Sequence, residues 1–109
     1  MQFQEQAINE GGIVAAYVIN QCEVTDPVQY EAYKTVAQES IAAAGGRYLV
    51  RGCEVTVLEG EPPAGRVVVA EFPNREAALA WYRGATYSAA RKLRASAAVV
   101  RMFVVDGVA

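Results

Sequence analysis

Arg51 and Glu71 are charged residues set inside otherwise apolar runs, Tyr48-Leu-Val-Arg51 and Val67-Val-Val-Ala-Glu-Phe72. A charge buried in such surroundings is costly unless it is paired. Two roles fit the pair. In one, Arg51 and Glu71 are a structural ion pair. In the other, Arg51 holds a carboxylate or enolate oxygen bidentately and Glu71 acts as acid or base, its pKa moved by burial. If Gly52 leaves the strand register unchanged, Glu59 shares their face but lies nearer a loop, where it is solvated. The aromatic residues form a second set. Tyr17, Trp81 and Tyr87 would line an apolar pocket with a few hydroxyls near Gly84, suited to a small aromatic or acyl ligand. Core packing is the alternative reading, and it is also the reading for Tyr30 and Tyr33 on a helix face.

The remaining chemistry is excluded by residue type. The chain has two cysteines and no histidine, so a zinc cluster is not expected, and no metal or bound cofactor is called for. Cys22 alternates with Val18, Asn20 and Val24 as a small apolar residue of a strand. Cys53 follows Gly52 and lacks a histidine to hold it as thiolate. Gly11-Gly12 and Gly45-Gly46 lack the spacing of a phosphate-binding loop.

The elements that position these residues are legible from local signals. An apolar run from Ile13 to Val24 predicts a first strand. Asp26 is a good N-cap and Pro27 a preferred first helical residue, with Gln29 completing a capping-box-like arrangement. Tyr30, Tyr33, Ala37, Ile41 and Ala44 recur every three or four residues as a helix face that ends at Gly45-Gly46. Arg47 to Gly60 predicts a second strand bent at Gly52, joined through Glu61-Pro-Pro-Ala-Gly65 to a third strand, Arg66 to Phe72. Asn74 caps a helix that breaks at Gly84, Thr86 caps a short continuation, and Ala97 to Val105 predicts the last strand. The order β-α-β-β-α-β is the ferredoxin-like split unit, an α+β fold with a four-stranded antiparallel sheet. It places Cys22 and Cys53 on non-neighbouring strands, so both are expected as free thiols.

One domain over residues 13–109 is expected, preceded by a polar, acidic arm over residues 1–12. The arm reads as frayed or as packing across a partner subunit. Ten basic residues against twelve acidic ones, scattered along the chain, leave no footprint for nucleic acid. No apolar run approaches the ~20 residues of a membrane span, and the amino terminus lacks a secretory pattern, so a bacterial-type cytoplasm is the expected location.

Pairing Gly60 with Arg66 would align Val55, Val57 and Glu59 with Glu71, Val69 and Val67 on one face, leaving both faces of the hairpin apolar. Two helical segments cover one face of such a sheet. The other face, bearing Val55, Val57, Val67 and Val69, is expected to pack against a second copy, giving a homodimer.

Several segments in order carry a resemblance to a known family. They are Ala16-Tyr-Val-Ile19, Val24-Thr-Asp-Pro27 with Tyr30 and Tyr33, and Gly45-Gly-Arg-Tyr-Leu-Val-Arg-Gly52. Leu58-Glu-Gly60, Val69-Ala-Glu-Phe-Pro73, Ala80-Trp-Tyr82 with Tyr87, and Val105-Asp-Gly107 follow. Together they resemble the bacterial domain of unknown function 1330 family, departing from it at Cys53, where a second glycine is usual, and in the amino-terminal arm. The resemblance implies the dimeric α+β barrel superfamily, which includes small cofactor-independent monooxygenases, isomerases and degradative enzymes, and it carries over no established reaction. The expected function is binding or transforming a small carbonyl, carboxylate or aromatic metabolite in a barrel pocket without metal. A non-catalytic ligand-binding or structural dimerisation module is the alternative.

Overall fold

The structure, a computed structural model, describes residues 14–52 and 54–108. Its elements are β1 (Ala16–Val24), α1 (Pro27–Ala43), β2 (Arg47–Arg51), β3 (Arg66–Phe72), α2 (Arg75–Arg83), α3 (Ala85–Arg94) and β4 (Ala98–Asp106). The strands form one antiparallel sheet in the order β2-β3-β1-β4. This is the expected ferredoxin-like unit, with the second helix divided in two. Ile13, Cys53 and the arm over residues 1–12 lie outside the described residues.

Local chemistry sets the helix limits. The Asp26 carboxylate accepts the Gln29 backbone N–H at 3.2 Å, satisfying a donor that the first turn leaves free. The Gln29 side chain does not return the bond; its Nε2 donates to the Leu93 carbonyl at 3.1 Å and ties α1 to α3. At the other end, Gly46 N–H reaches Ile41 O at 2.9 Å and Gly45 N–H reaches Ala42 O at 3.1 Å. Gly45, at φ +83°, supplies the left-handed residue that this Schellman arrangement needs. Asn74 caps α2 by accepting Ala77 N–H at 2.7 Å. Gly84, not Thr86, caps α3, and it does so without a side-chain bond; Thr86 lies inside the helix.

The three helices cover one face of the sheet. Strand alternation sends Ala16, Val18, Asn20 and Cys22 to that face, together with Ala70 and Phe72 of β3. They meet Tyr30, Tyr33, Ala37 and Ile41 of α1, Ala78 and Trp81 of α2, and Tyr87 and Ala90 of α3 in one core. The opposite face carries no helix. Across it run the rows Arg47–Glu71–Tyr17–Val105 and Val50–Val69–Ile19–Phe103, followed by Val67–Gln21–Arg101.

The β2–β3 hairpin differs from expectation. Arg47 pairs with Glu71 and Tyr48 with Ala70, then the register shifts so that Val50 pairs with Val69 and Arg51 with Val68. Leu49 is the extra residue of a bulge, and β2 stops at Arg51. Gly52, at φ +74°, ends the strand rather than bending it, its N–H bonding Val67 O at 2.8 Å. Val55 and Val57 therefore lie outside the sheet, in an irregular segment before Arg66, and do not face Val67 and Val69.

Candidate functional site

The bulge at Leu49 decides the fate of the expected acid–base pair. A one-residue shift sends every later side chain of a strand to the other face. Arg51 thus lies on the helix side, where its guanidinium sits 4.6 Å from the Tyr48 ring centroid and donates to Gln38 Oε1 at 3.4 Å. Glu71 lies on the open face and accepts from Arg47 Nε at 2.9 Å. The partner that balances Glu71 is Arg47, and the sheet separates it from Arg51. Tyr17, opposite Glu71 on β1, completes a polar row; burial, then the hydrogen bond and charge of Glu71, hold its phenol above the ordinary value.

The expected ligand set is divided in the same way. Tyr17 faces the open side, whereas Trp81 and Tyr87 are buried in the core on the helix side, their rings 4.0 Å apart between centroids. Trp81 Nε1 donates to Ser40 Oγ at 2.9 Å, and Ser40 Oγ in turn donates to the Ala37 carbonyl at 2.8 Å. Beside them the helix break at Gly84 leaves an open cleft of about 550 Å³. Its walls include Ala43 of α1 and Ala77 and Ala80 of α2, with Trp81, Tyr87, Thr86, Ser40 and Glu39 supplying rings and polar groups. Small side chains on both helices are what keep the cleft open.

Behind Trp81 lies a polar cluster inside the core. Tyr33 and Tyr87 share a hydrogen bond of 2.6 Å, and Tyr30 accepts from Cys22 Sγ at 3.4 Å. Arg94 stands with its guanidinium 5.5 Å from the Tyr33 ring centroid. Asn20 is 6% exposed and its Oδ1 has no partner among the described residues. A void of about 20 Å³ touches Asn20, Tyr33, Tyr48 and Trp81. Burial, then Tyr87, pushes the Tyr33 phenol well up; burial, then Cys22, does the same for Tyr30. Both are neutral hydroxyls across the physiological range. Trp81 is the wall shared by the open cleft and this inner void.

Sequence reasoning on Arg51, Glu71 and Tyr17 missed Asn20, Tyr33 and Tyr48 as neighbours of Trp81. The signal for Asn20 was present: an amide at an inward position between Val18 and Cys22 is a buried polar group that demands a partner. Among the described residues Cys22 is a free thiol; Cys53 lies outside them. No helix of the described residues is long and apolar enough to cross a membrane.

Comparison with known proteins places this geometry. A protein of unknown function from Rhodopseudomonas palustris, RPA0582, superposes with a TM-score of 0.67 at 19% identity, covering 99% of this chain and 91% of that one. SnoaB of Streptomyces nogalater, a cofactor-independent oxygenase, gives 0.56 at 10% identity over 85% of this chain and 92% of its own. A dimeric protein of unknown function with a ferredoxin-like fold, from Bacteroides fragilis, gives 0.51 at 13% identity over 85% and 96%. At these identities the likeness is one of fold. No curated protein matches the chain. The family model described as Domain of unknown function (DUF1330) matches residues 15–108, nearly all of the described chain, and the protein belongs to that family.

Proposed function

We propose that the protein binds a small aromatic or carbonyl-bearing metabolite between its helices and its sheet, entered beside the α2–α3 break. The observation that carries this reading is Trp81, one ring forming the wall between an open cleft and an inner void lined by Asn20, whose Oδ1 has no partner among the described residues. A void of about 20 Å³ holds no metabolite, so binding requires the indole to move aside and join the two spaces. The joined site offers aromatic walls for a planar ligand, with Asn20 Oδ1 to accept from a ligand hydroxyl and the Tyr33–Tyr87 hydroxyl pair to donate to a carbonyl oxygen. The fold likeness to a cofactor-independent oxygenase is compatible with such a ligand but is an analogy of fold.

The chain has one tryptophan, so its fluorescence reports on the gate. Titration with a hydroxyaryl ketone such as 4-hydroxyacetophenone, whose phenol can donate to Asn20 Oδ1, is expected to change Trp81 emission saturably. Asn20→Ala should weaken that binding by about tenfold, the worth of one buried hydrogen bond. A linear, purely collisional response, or equal affinity in the variant, rejects the reading.

On the same proposal the open sheet face takes a second copy of the chain. Its centre is the apolar row Val50–Val69–Ile19–Phe103, with Phe103 47% and Val99 62% exposed. An apolar face of this extent on a small protein marks an association surface. The rows Arg47–Glu71–Tyr17 and Gln21–Arg101 flank it and would fix the register between copies. That a Bacteroides fragilis protein of similar fold is dimeric supports association of two copies, and the free Cys22 thiol suits a reducing cytoplasm. Light scattering at micromolar concentration should give twice the chain mass of 11.7 kDa. Val69→Lys should shift the mass toward one chain, because the dimer would bury an unpaired charge. A clean monomer for the unaltered protein removes the dimer.

A further inference from the structure

Arg91 and Arg94 stand near the carboxyl end of α3 without a carboxylate partner. The ion pairs among the described residues belong to Lys34, Arg47 and Arg75. Arg91 donates from Nη1 to the Tyr82 hydroxyl at 3.1 Å and from Nη2 to Ser88 Oγ at 3.3 Å, with its guanidinium 4.4 Å from the Tyr82 ring centroid. These neutral oxygens orient the guanidinium and leave its charge uncompensated. The Nε atoms of Arg91 and of Arg94 are both buried and find no acceptor among the described residues.

Basic residues in a last helical turn suit the helix dipole, and that accounts for exposed Lys92. It does not account for two N–H donors buried without acceptors, since such groups are rare in folded proteins unless a ligand or water completes them. Both arginines open on one cleft of about 390 Å³ between α3 and β4, floored by Val100 and Met102 and walled by Tyr82. The cleft is not lined by Trp81 or Asn20, although Met102 lines both it and the inner void and Arg94 reaches from it to the Tyr33 ring.

We propose that this cleft binds the carboxylate of a small apolar acid. A planar guanidinium matches a planar carboxylate with two parallel hydrogen bonds, and the apolar floor accepts the body of the ligand. The carbonyl end of α3 adds negative potential, which a monoanion tolerates better than a phosphate dianion. Tyr82 holds Arg91 in place through its hydroxyl and ring face.

Benzoate is the probe, measured by calorimetry against benzamide, its neutral counterpart, and phenyl phosphate, its dianionic one. Benzoate should bind with an affinity that falls as salt is raised, and phenyl phosphate should bind more weakly. Arg91→Gln should weaken benzoate by about 10- to 100-fold, the worth of a hydrogen bond to a charged group, and leave benzamide unchanged. Arg91→Lys keeps the charge but loses the planar fork, so it should fall between the two, which separates loss of the site from loss of the fold. The proposal is overturned if benzoate does not bind, if Arg91→Gln binds it as the unaltered chain does, or if benzamide binding falls equally. Tighter binding of phenyl phosphate overturns the carboxylate assignment.

Discussion

Replacing Gly65 with alanine should lower the unfolding free energy by about 3–5 kcal/mol, combining left-handed backbone strain with a steric clash. Gly65 sits at φ +74° where the chain enters β3, and a Cβ there would fall against the Cys22 carbonyl and the Glu23 Cα. Those are backbone atoms of β1, a central strand paired on both sides through Cys22 to Arg66 and to Val100. No rotamer change relieves the contact; a strand has to move. Gly60 is the internal control, because it has φ +77° and open space around its missing side chain. Gly60→Ala should cost only about 1–2 kcal/mol, the backbone term alone. Urea unfolding of the two variants isolates the close approach, and equal midpoints would show that β1 does not pass so near Gly65. The loss would also reach the site, because displacing Cys22 disturbs its bond to Tyr30 and the strand that carries Asn20.

The helical part of this fold was legible because its limits are set by single residues acting locally. Asp26 with Pro27, Gly45 with Gly46, and Asn74 each satisfy or end a turn through their own backbone or side chain, so no tertiary information is needed. The strand order followed from element order. The register of β2 did not, because a bulge is a property of a pair of strands. Nothing in Arg47-Tyr-Leu-Val-Arg51 marks Leu49 as the extra residue. The pairing with β3, and the stacking of Arg51 on Tyr48 beside Gln38, accompany it only in three dimensions. The expected Arg51–Glu71 pair was lost to that one residue.

Tyr17 is a different case, since its placement was legible and went unused. Alternation counted from Val18 and Cys22 puts Tyr17 on the face opposite the helices, and the burial of β1 follows that count. The same count places Asn20 inward, beside Trp81 across the small void. What parity cannot supply is the position of α2 and α3 over the sheet. That depends on Gly84, whose extended conformation at ψ 161° separates two helices that would otherwise run as one. The break brings Tyr87 back onto Trp81 and leaves the alanine-walled cleft outside them. The candidate site is thus a product of one interruption in a helix and one amide in a strand.

Stability should fall steeply above about pH 10, and Tyr33 should carry an identifiable share of the fall. Burial, then the neighbouring Tyr87, raises the Tyr33 phenol above its ordinary value of 10.0, while Arg94 works the other way and is outweighed. Unfolding releases the phenol into water, where it ionises near its ordinary value. Below that pH both states hold the proton and the contribution is complete. As pH rises from there toward the folded value, the unfolded state loses the proton and the folded state does not, so unfolding gains about 1.4 kcal/mol per pH unit from this residue. Tyr30 and Tyr48, also raised by burial, add to the slope. Tyr33→Phe separates the shares. At neutral pH it should be destabilised by about 1–3 kcal/mol, because the Tyr87 hydroxyl loses its 2.6 Å partner in a buried setting. Above pH 10 that deficit should shrink, since the variant no longer has the Tyr33 proton to lose. Urea midpoints from pH 8 to 11 give both curves, and a deficit that stays constant with pH would mean that Tyr33 titrates as a solvated phenol. A shrinking deficit instead requires a Tyr33 hydroxyl that stays protonated in the folded core, which makes Tyr33 a hydrogen-bond donor rather than a phenolate base.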